Sequence, residues 1–288
     1  MTDDRYEYVG QPKHRAIVGS TDQTVWGKAA EHRAHVLRLL QRPANQRKGI
    51  IGVFGVGDGT ALDLQGLLNR FHEVHLITMD AAKTKEIIQQ QKVDDRQRIF
   101  TTVVDVSGVD DLLDEYQANP SDEKFDALME RIYSNPAIKG LAKFDIALSV
   151  SQIPKLTIRA AHCVGDDSDK LFKIITGTKR RHIQTLLEHV NRPGAAIFVI
   201  DIVSSETVPP LAQSPKNLPE ILNQALRQGN FYAGGLPIAF DTSVQEFAHR
   251  FDDCNVAKTW LRQTENEHIA CCAWRIVLNE KQGNENGW

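Results

Sequence analysis

At 288 residues, 41% hydrophobic and 25% charged, the chain is long enough for one large domain with a full core, and its composition is that of a folded globular protein. A net charge of −3 excludes the electropositive footprint of a nucleic-acid binder. No apolar run approaches the ~18 residues that a membrane helix needs. The four cysteines, Cys163, Cys254, Cys271 and Cys272, lack regular spacing, which fits reduced thiols in a cytoplasm better than a disulfide framework.

The polar, acidic stretch after Met1 has no apolar signal segment, so a cytoplasmic chain is expected. From Thr24 to Leu40 an apolar stripe (Val25, Trp26, Ala29, Ala30, Val36, Leu37, Leu40) predicts a helix with Asp22 as its cap. Trp26 is read as core, and a lid over the site is the second reading. After the breaker RPANQRKG the chain alternates. Ile50–Phe54, Val74–Met79 and Ile99–Val104 read as strands, with Thr60–Leu68 and Ala81–Gln91 as the helices between them. Phe144–Val150 and Ala195–Val203 supply a fourth and a fifth strand, the latter preceded by a helix in HIQTLLEHVNRPG that an Asn-Arg-Pro-Gly turn closes. Trp274–Leu278, preceded by EHIACCA, is a late strand, with Ala257–Arg262 as its antiparallel partner.

Buried strands separated by helices predict an α/β fold, a doubly wound and mostly parallel sheet covered on both faces. Two stretches stand outside the alternation. Val109–Lys143 reads as a helical insertion, and the Pro- and Gly-rich segment from Ser204 reads as a loop-and-helix cap. The expected organisation is an N-terminal segment over 1–47 and one domain over 48–288, with the insertion at about 107–143 and the cap at about 204–250.

The chemistry centres on KGIIGVFGVGDGTALDLQGLL, Lys48 to Leu68. A P-loop would need a lysine after its last glycine, and Gly59-Thr60-Ala61 has none. The dinucleotide fingerprint G-x-G-x-x-G is not met either: Gly55, Gly57 and Gly59 alternate, and Thr60 stands at the place of the third fingerprint glycine. Asp58 would repel a pyrophosphate and draw a cationic ligand. S-adenosylmethionine is such a ligand, and a glycine loop lets backbone amides pack beside its amino-acid tail. Asp80, at the end of the second strand, is placed to accept from the vicinal hydroxyls of a ribose. Asp105, at the end of the third, is placed for an adenine amine.

With GVGDG, Met79-Asp80, Val104-Asp105-Val106, FDIALSVSQIP and RPGAAIFVID in order, the chain resembles the class I S-adenosylmethionine-dependent methyltransferases over roughly Gly49 to Leu278. The resemblance implies a seven-stranded sheet with a reversed last hairpin and cofactor bound across the carboxyl ends of the first four strands. It implies a cofactor set of Gly55, Val56, Gly57, Asp58, Gly59, Met79, Asp80, Asp105, Val106, Ser149, Val150 and Gln152, with Ser149 to Gln152 on the methyl-transfer side. Val53 departs from the pattern, because many members carry an acid there that helps hold the ammonium group.

The function expected is methyl transfer to a small-molecule acceptor, with no nucleic-acid or membrane partner and a homodimer as the oligomeric expectation. An inactive binding or regulatory protein on the same fold is the alternative, supported by Val53. An aminopropyltransferase ranks lower, since SVSQIP offers no acidic pair, and a nicotinamide dehydrogenase lower still. The motif Asn/Asp-Pro-Pro-Tyr is absent. His162, Tyr232 and His72 are conceivable bases among which spacing does not choose. Asp145 is read as capping or starting its strand and Asp201 as structural. Asp166, Asp167 and Asp169 are read as a helix cap with solvated acids, and Lys179-Arg180-Arg181 as a solvated face at a helix start. His268 and Cys272 fall on the opposite strand face from Cys271, so the three are not read as a metal site.

Overall fold

Seven strands form one sheet: β1 (Ile50–Phe54), β2 (Glu73–Thr78), β3 (Ile99–Val103), β4 (Phe144–Val150), β5 (Val190–Ser204), β6 (Asp253–Gln263) and β7 (His268–Leu278). The computed structural model describes residues 23–40, 49–134, 138–165, 167–213, 215–232 and 235–279. The strand order is β3-β2-β1-β4-β5-β7-β6. β1 to β5 are parallel, and β7 runs antiparallel to both β5 and β6. This is the mostly parallel sheet with a reversed β7 that the resemblance implies.

The helices are α1 (Gln23–Lys28), α2 (Ala30–Leu39), α3 (Leu64–Arg70), α4 (Ala81–Gln90), α5 (Asp110–Ala118), α6 (Asp122–Tyr133), α7 (Gln152–Val164), α8 (Ser168–Glu188), α9 (Leu218–Arg227) and α10 (Pro237–Gln245). Among the described residues, no helix is long and apolar enough to cross a membrane.

Side chains alternate across each strand, and the sheet therefore has two apolar faces. Phe54, Phe144, Phe198, Phe240 and Trp274 pack on one face with α8 and α10. Ile51, Val53, Leu76, Leu148 and Ile197 pack on the other with α2 and α3. A third cluster, built around Leu113, Phe125, Leu128, Ile132, Ala160 and Ile174, joins α5 and α6 to α7 and α8. Gly52 sits mid-strand because a Cβ there would lie 2.3 Å from the Phe144 ring, which crosses β1 at that point.

Several boundaries differ from the sequence reading. The stripe from Thr24 to Leu40 makes two helices that part at Ala29, and the expected cap Asp22 lies outside the described residues. The helix expected from Thr60 starts at Leu64, because Asp63 accepts from the Gly66 amide at 2.8 Å and caps it there. β5 begins at Val190, so the Asn-Arg-Pro-Gly stretch is strand rather than turn. Asp145 accepts from the Ile50 amide at 2.7 Å and ties β4 to the start of β1. Asp167 caps α8 through the Lys170 amide, while Asp166 lies outside the described residues.

Lys179-Arg180-Arg181 is a correction. The three stand in the middle of α8, and Lys179 and Arg181 are buried. Arg181 donates from Nε to the Ser107 carbonyl at 2.6 Å and from Nη1 to the Arg131 carbonyl at 2.7 Å. One guanidinium thus holds the loop after β3 and the end of α6 against α8. Lys179 and Arg181 are not solvated because their acceptors are backbone carbonyls from distant segments, which carry no sequence signature, while Arg180 pairs with Glu246.

Removing this guanidinium leaves buried carbonyls unpaired. Arg181→Met is expected to destabilise the fold by about 3 kcal/mol in urea unfolding, since hydrogen bonds from a charged donor are lost. A loss under about 1 kcal/mol would contradict the role.

Candidate functional site

Parallel strands end on one edge, and here that edge gathers the loops after β1, β2, β3 and β4. The loop after β1 is a run of tight turns. Gly55, Gly57 and Gly59 have φ of 82°, 64° and 78°, the left-handed region that only glycine adopts without strain. Space demands glycine as well. A Cβ on Gly55 would lie 2.1 Å from the Gln152 side chain, and one on Gly59 would lie 2.5 Å from Ile87.

The loop is clamped from outside. Gln91 donates to the Gly59 and Leu62 carbonyls at 3.2 and 3.0 Å and accepts from the Leu64 amide at 2.9 Å. Arg33 of α2 donates to the Thr60 carbonyl at 3.1 Å, and its guanidinium lies 3.5 Å over the Trp26 ring. Trp26 is therefore half-buried against Arg33, and α2 also packs on β6, where Trp260 donates to His32 Nδ1 at 3.0 Å.

The expected site residues divide by what they touch. Met79 is 53% exposed at the end of β2, and Asp80 beside it is exposed too. Asp80 caps α4, with Oδ1 accepting from the Lys83 amide at 2.9 Å. Asp58 is engaged within its own turn: Oδ1 accepts from the Thr60 amide and hydroxyl at 2.9 and 2.7 Å. Burial works against its charge, but those bonds, with Arg262 and Lys155 nearby, hold its carboxyl below the usual range. Asp105 is likewise bonded locally. Its Oδ1 accepts from the Ser107 amide and hydroxyl, and its Oδ2 from the Asp110 amide at 2.9 Å. Val56, Val106 and Val150 are buried. Ser149 is buried as well, its Oγ 2.8 Å from His182 Nε2. Gln152 covers Gly55 and donates to the Val150 carbonyl at 2.9 Å.

A polar link that the sequence did not reveal, between Ser151, Asp201 and Arg262, joins the loop to the other half of the edge. Ser151 stands at the β4–α7 junction with a φ of 55°, in the left-handed region, and donates to Asp201 Oδ1 at 2.9 Å. Arg262 of β6 donates to Asp201 Oδ2 at 2.9 Å in a nearly buried pair. Burial opposes the arginine's charge, yet Asp201 beside it keeps the guanidinium protonated and raises its pKa. Lys155, in the first turns of α7, lays its ammonium over Gly57: a Cβ there would be 3.1 Å from Nζ. The only available signals were a serine ending an apolar strand and an arginine inside another.

Of the conceivable bases, His162 and His72 are exposed, and burial raises the Tyr232 phenol so that it holds its proton. Among the described residues, two histidines are buried with one ring nitrogen unpartnered. His182 has an unpaired Nδ1 and is lowered to about 4 by burial. His32 has an unpaired Nε2 and is lowered to about 3, by burial and then by Arg262.

No family model matches the chain, and no curated protein matches it in sequence. Among solved structures similar to it is magnesium protoporphyrin IX methyltransferase from Synechocystis PCC 6803 with bound SAH, 10% identical over 94% of this chain and 90% of that one, with a TM-score of 0.47. Another is an O-methyltransferase family protein from Burkholderia thailandensis, 10% identical over 91% of this chain, with a TM-score of 0.42. The chain spans about 62% of the length of that second protein.

The buried histidines fix a pH dependence. Both fold in the neutral form, while the unfolded chain takes up protons below its ordinary histidine pKa of 6.5. Stability is therefore full above 6.5 and falls as pH drops toward the lowered folded values. Each histidine should cost about 2 kcal/mol between pH 7.5 and pH 5 in denaturant unfolding. A His182→Gln variant should lose one such share of the pH dependence; an unaltered slope would contradict this account.

Proposed function

We propose that this chain, whose sheet has the class I methyltransferase strand order, transfers a methyl group from S-adenosylmethionine to a small-molecule acceptor. The observation that carries the reading is the exposed Asp80 carboxylate at the end of β2, beside a loop whose three glycines are all left-handed. Asp80 Oδ1 takes one backbone amide as a helix cap. Its outer oxygen has no hydrogen bond among the described residues and is the group that would accept from a ribose diol.

The residues present fit the cofactor. Met79 offers exposed apolar surface at the same strand end for a purine ring. Asp105 keeps acceptor capacity on Oδ2 for an exocyclic amine, and Gly55 to Gly59 present backbone to the amino-acid tail. When bound, S-adenosylmethionine supplies a methyl carbon on a positively charged sulfur, which departs as a neutral thioether as the acceptor's lone pair forms the new bond. What the chain contributes is position. In-line transfer gains most of its rate from holding the two reactants in contact and excluding water. The N-terminal helices, the insertion and the segment from Ser204 are the elements that would enclose the acceptor. The net charge of −3 favours a small molecule over a polynucleotide.

Calorimetric titration tests the reading, with S-adenosylmethionine and S-adenosylhomocysteine as ligands and NAD and ATP as controls. Saturable binding of the adenosyl pair alone is expected. Asp80→Asn keeps the helix cap and removes the charge, and should weaken that binding by about 2 kcal/mol. Unchanged affinity in the folded variant would remove Asp80 from the site.

A further inference from the structure

We propose that Lys155 is the carboxylate-recognising residue of the site, so that the loop reads the acid end of the ligand's amino-acid tail rather than its ammonium end. This rests on the adenosyl reading above. Where class I members often carry an acid to hold that ammonium, this chain has Val53, which is fully buried in the apolar core on one face of the sheet. The other acids at the loop are engaged: Asp58 by the Thr60 amide and hydroxyl, and Asp201 by Ser151 and Arg262.

Against that background stands Lys155, with Arg262, which is committed to Asp201, and Lys83 as further cations near it. Gln152 and Lys155 are three residues apart on α7 and share a face, the first covering Gly55 and the second Gly57. Among the described residues no carboxylate lies within ion-pair distance of the Lys155 ammonium and no hydrogen bond holds it, while its side chain keeps contact with solvent. Protein around the ammonium lowers its pKa, with Asp58 opposing the shift. A ligand whose own sulfonium and ammonium lay toward this group would be repelled; one that turns its carboxylate there forms a charge-assisted hydrogen bond. A single carboxylate matches the single ammonium. A phosphate brings further negative charge beside Asp58, so the carboxylate is the favoured occupant.

The arrangement selects against a cofactor that lacks the carboxylate. The test is calorimetric titration of the full chain with S-adenosylhomocysteine, with 5′-methylthioadenosine, which has no amino-acid end, and with ADP. Lys155→Met should weaken S-adenosylhomocysteine about tenfold or more and leave 5′-methylthioadenosine within about twofold, while Lys155→Arg restores most of the loss. Equal effects on the two adenosyl ligands, or none on either, would overturn the assignment while leaving the adenosyl reading in place. ADP binding that exceeds S-adenosylhomocysteine binding and is lost in Lys155→Met would replace the carboxylate with a phosphate. Binding of neither adenosyl ligand to the unaltered chain would remove the reading itself.

Discussion

The site depends on a stretch of backbone that no side chain may enter. At the end of β1 the chain must turn under Gln152, pass below Lys155 and close against Ile87, and it does so with three left-handed residues in alternation. The three contacts come from two elements, α7 twice and α4 once. The loop is therefore the point where the two helices that flank it are fixed relative to the sheet. Gln91 and Arg33 complete the clamp by donating to the loop's outward carbonyls at Gly59, Thr60 and Leu62, the first of which also accepts from the Leu62 amide. A loop so held presents its amides in one arrangement, and that is what a binding site needs before any ligand arrives.

Charge along the carboxyl edge follows from this. Asp58 and Asp105 each accept from amides and hydroxyls within a few residues and serve the turns they belong to. Asp201 is neutralised by Arg262. Among the described residues, the groups left open toward solvent include Asp80 at the end of β2 and Lys155 on α7, of opposite sign and on opposite sides of the loop. An adenosyl amino acid has complementary ends for both: hydroxyls for the carboxylate and an acid for the ammonium.

The strands were legible because buried parallel strands need nearly continuous apolar runs, as in Ile50–Phe54 and Phe144–Val150, and the crossover helices between them follow from topology. The glycine loop and the position of Asp80 at the end of β2 were legible from order and spacing. Asp58 was read for its charge, although its local turn with Thr60 engages one of its oxygens; a carboxylate two residues before a hydroxyl is the signal for such a turn. Arg181 and Arg262 were not legible. Each is buried by partners far along the chain, carbonyls near Ser107 and Arg131 for one and Asp201 for the other, and nothing local in the sequence separates them from surface arginines. Lys155 became visible only once α7 was seen to lie over the loop.

The most direct measurement is a crystal structure of the chain grown with S-adenosylhomocysteine. The account predicts the adenosine across the ends of β1, β2 and β3 with its ribose hydroxyls on Asp80, and the amino-acid tail along Gly55 to Gly59. A ligand seated elsewhere, or on the loop with its ribose away from Asp80, would contradict it.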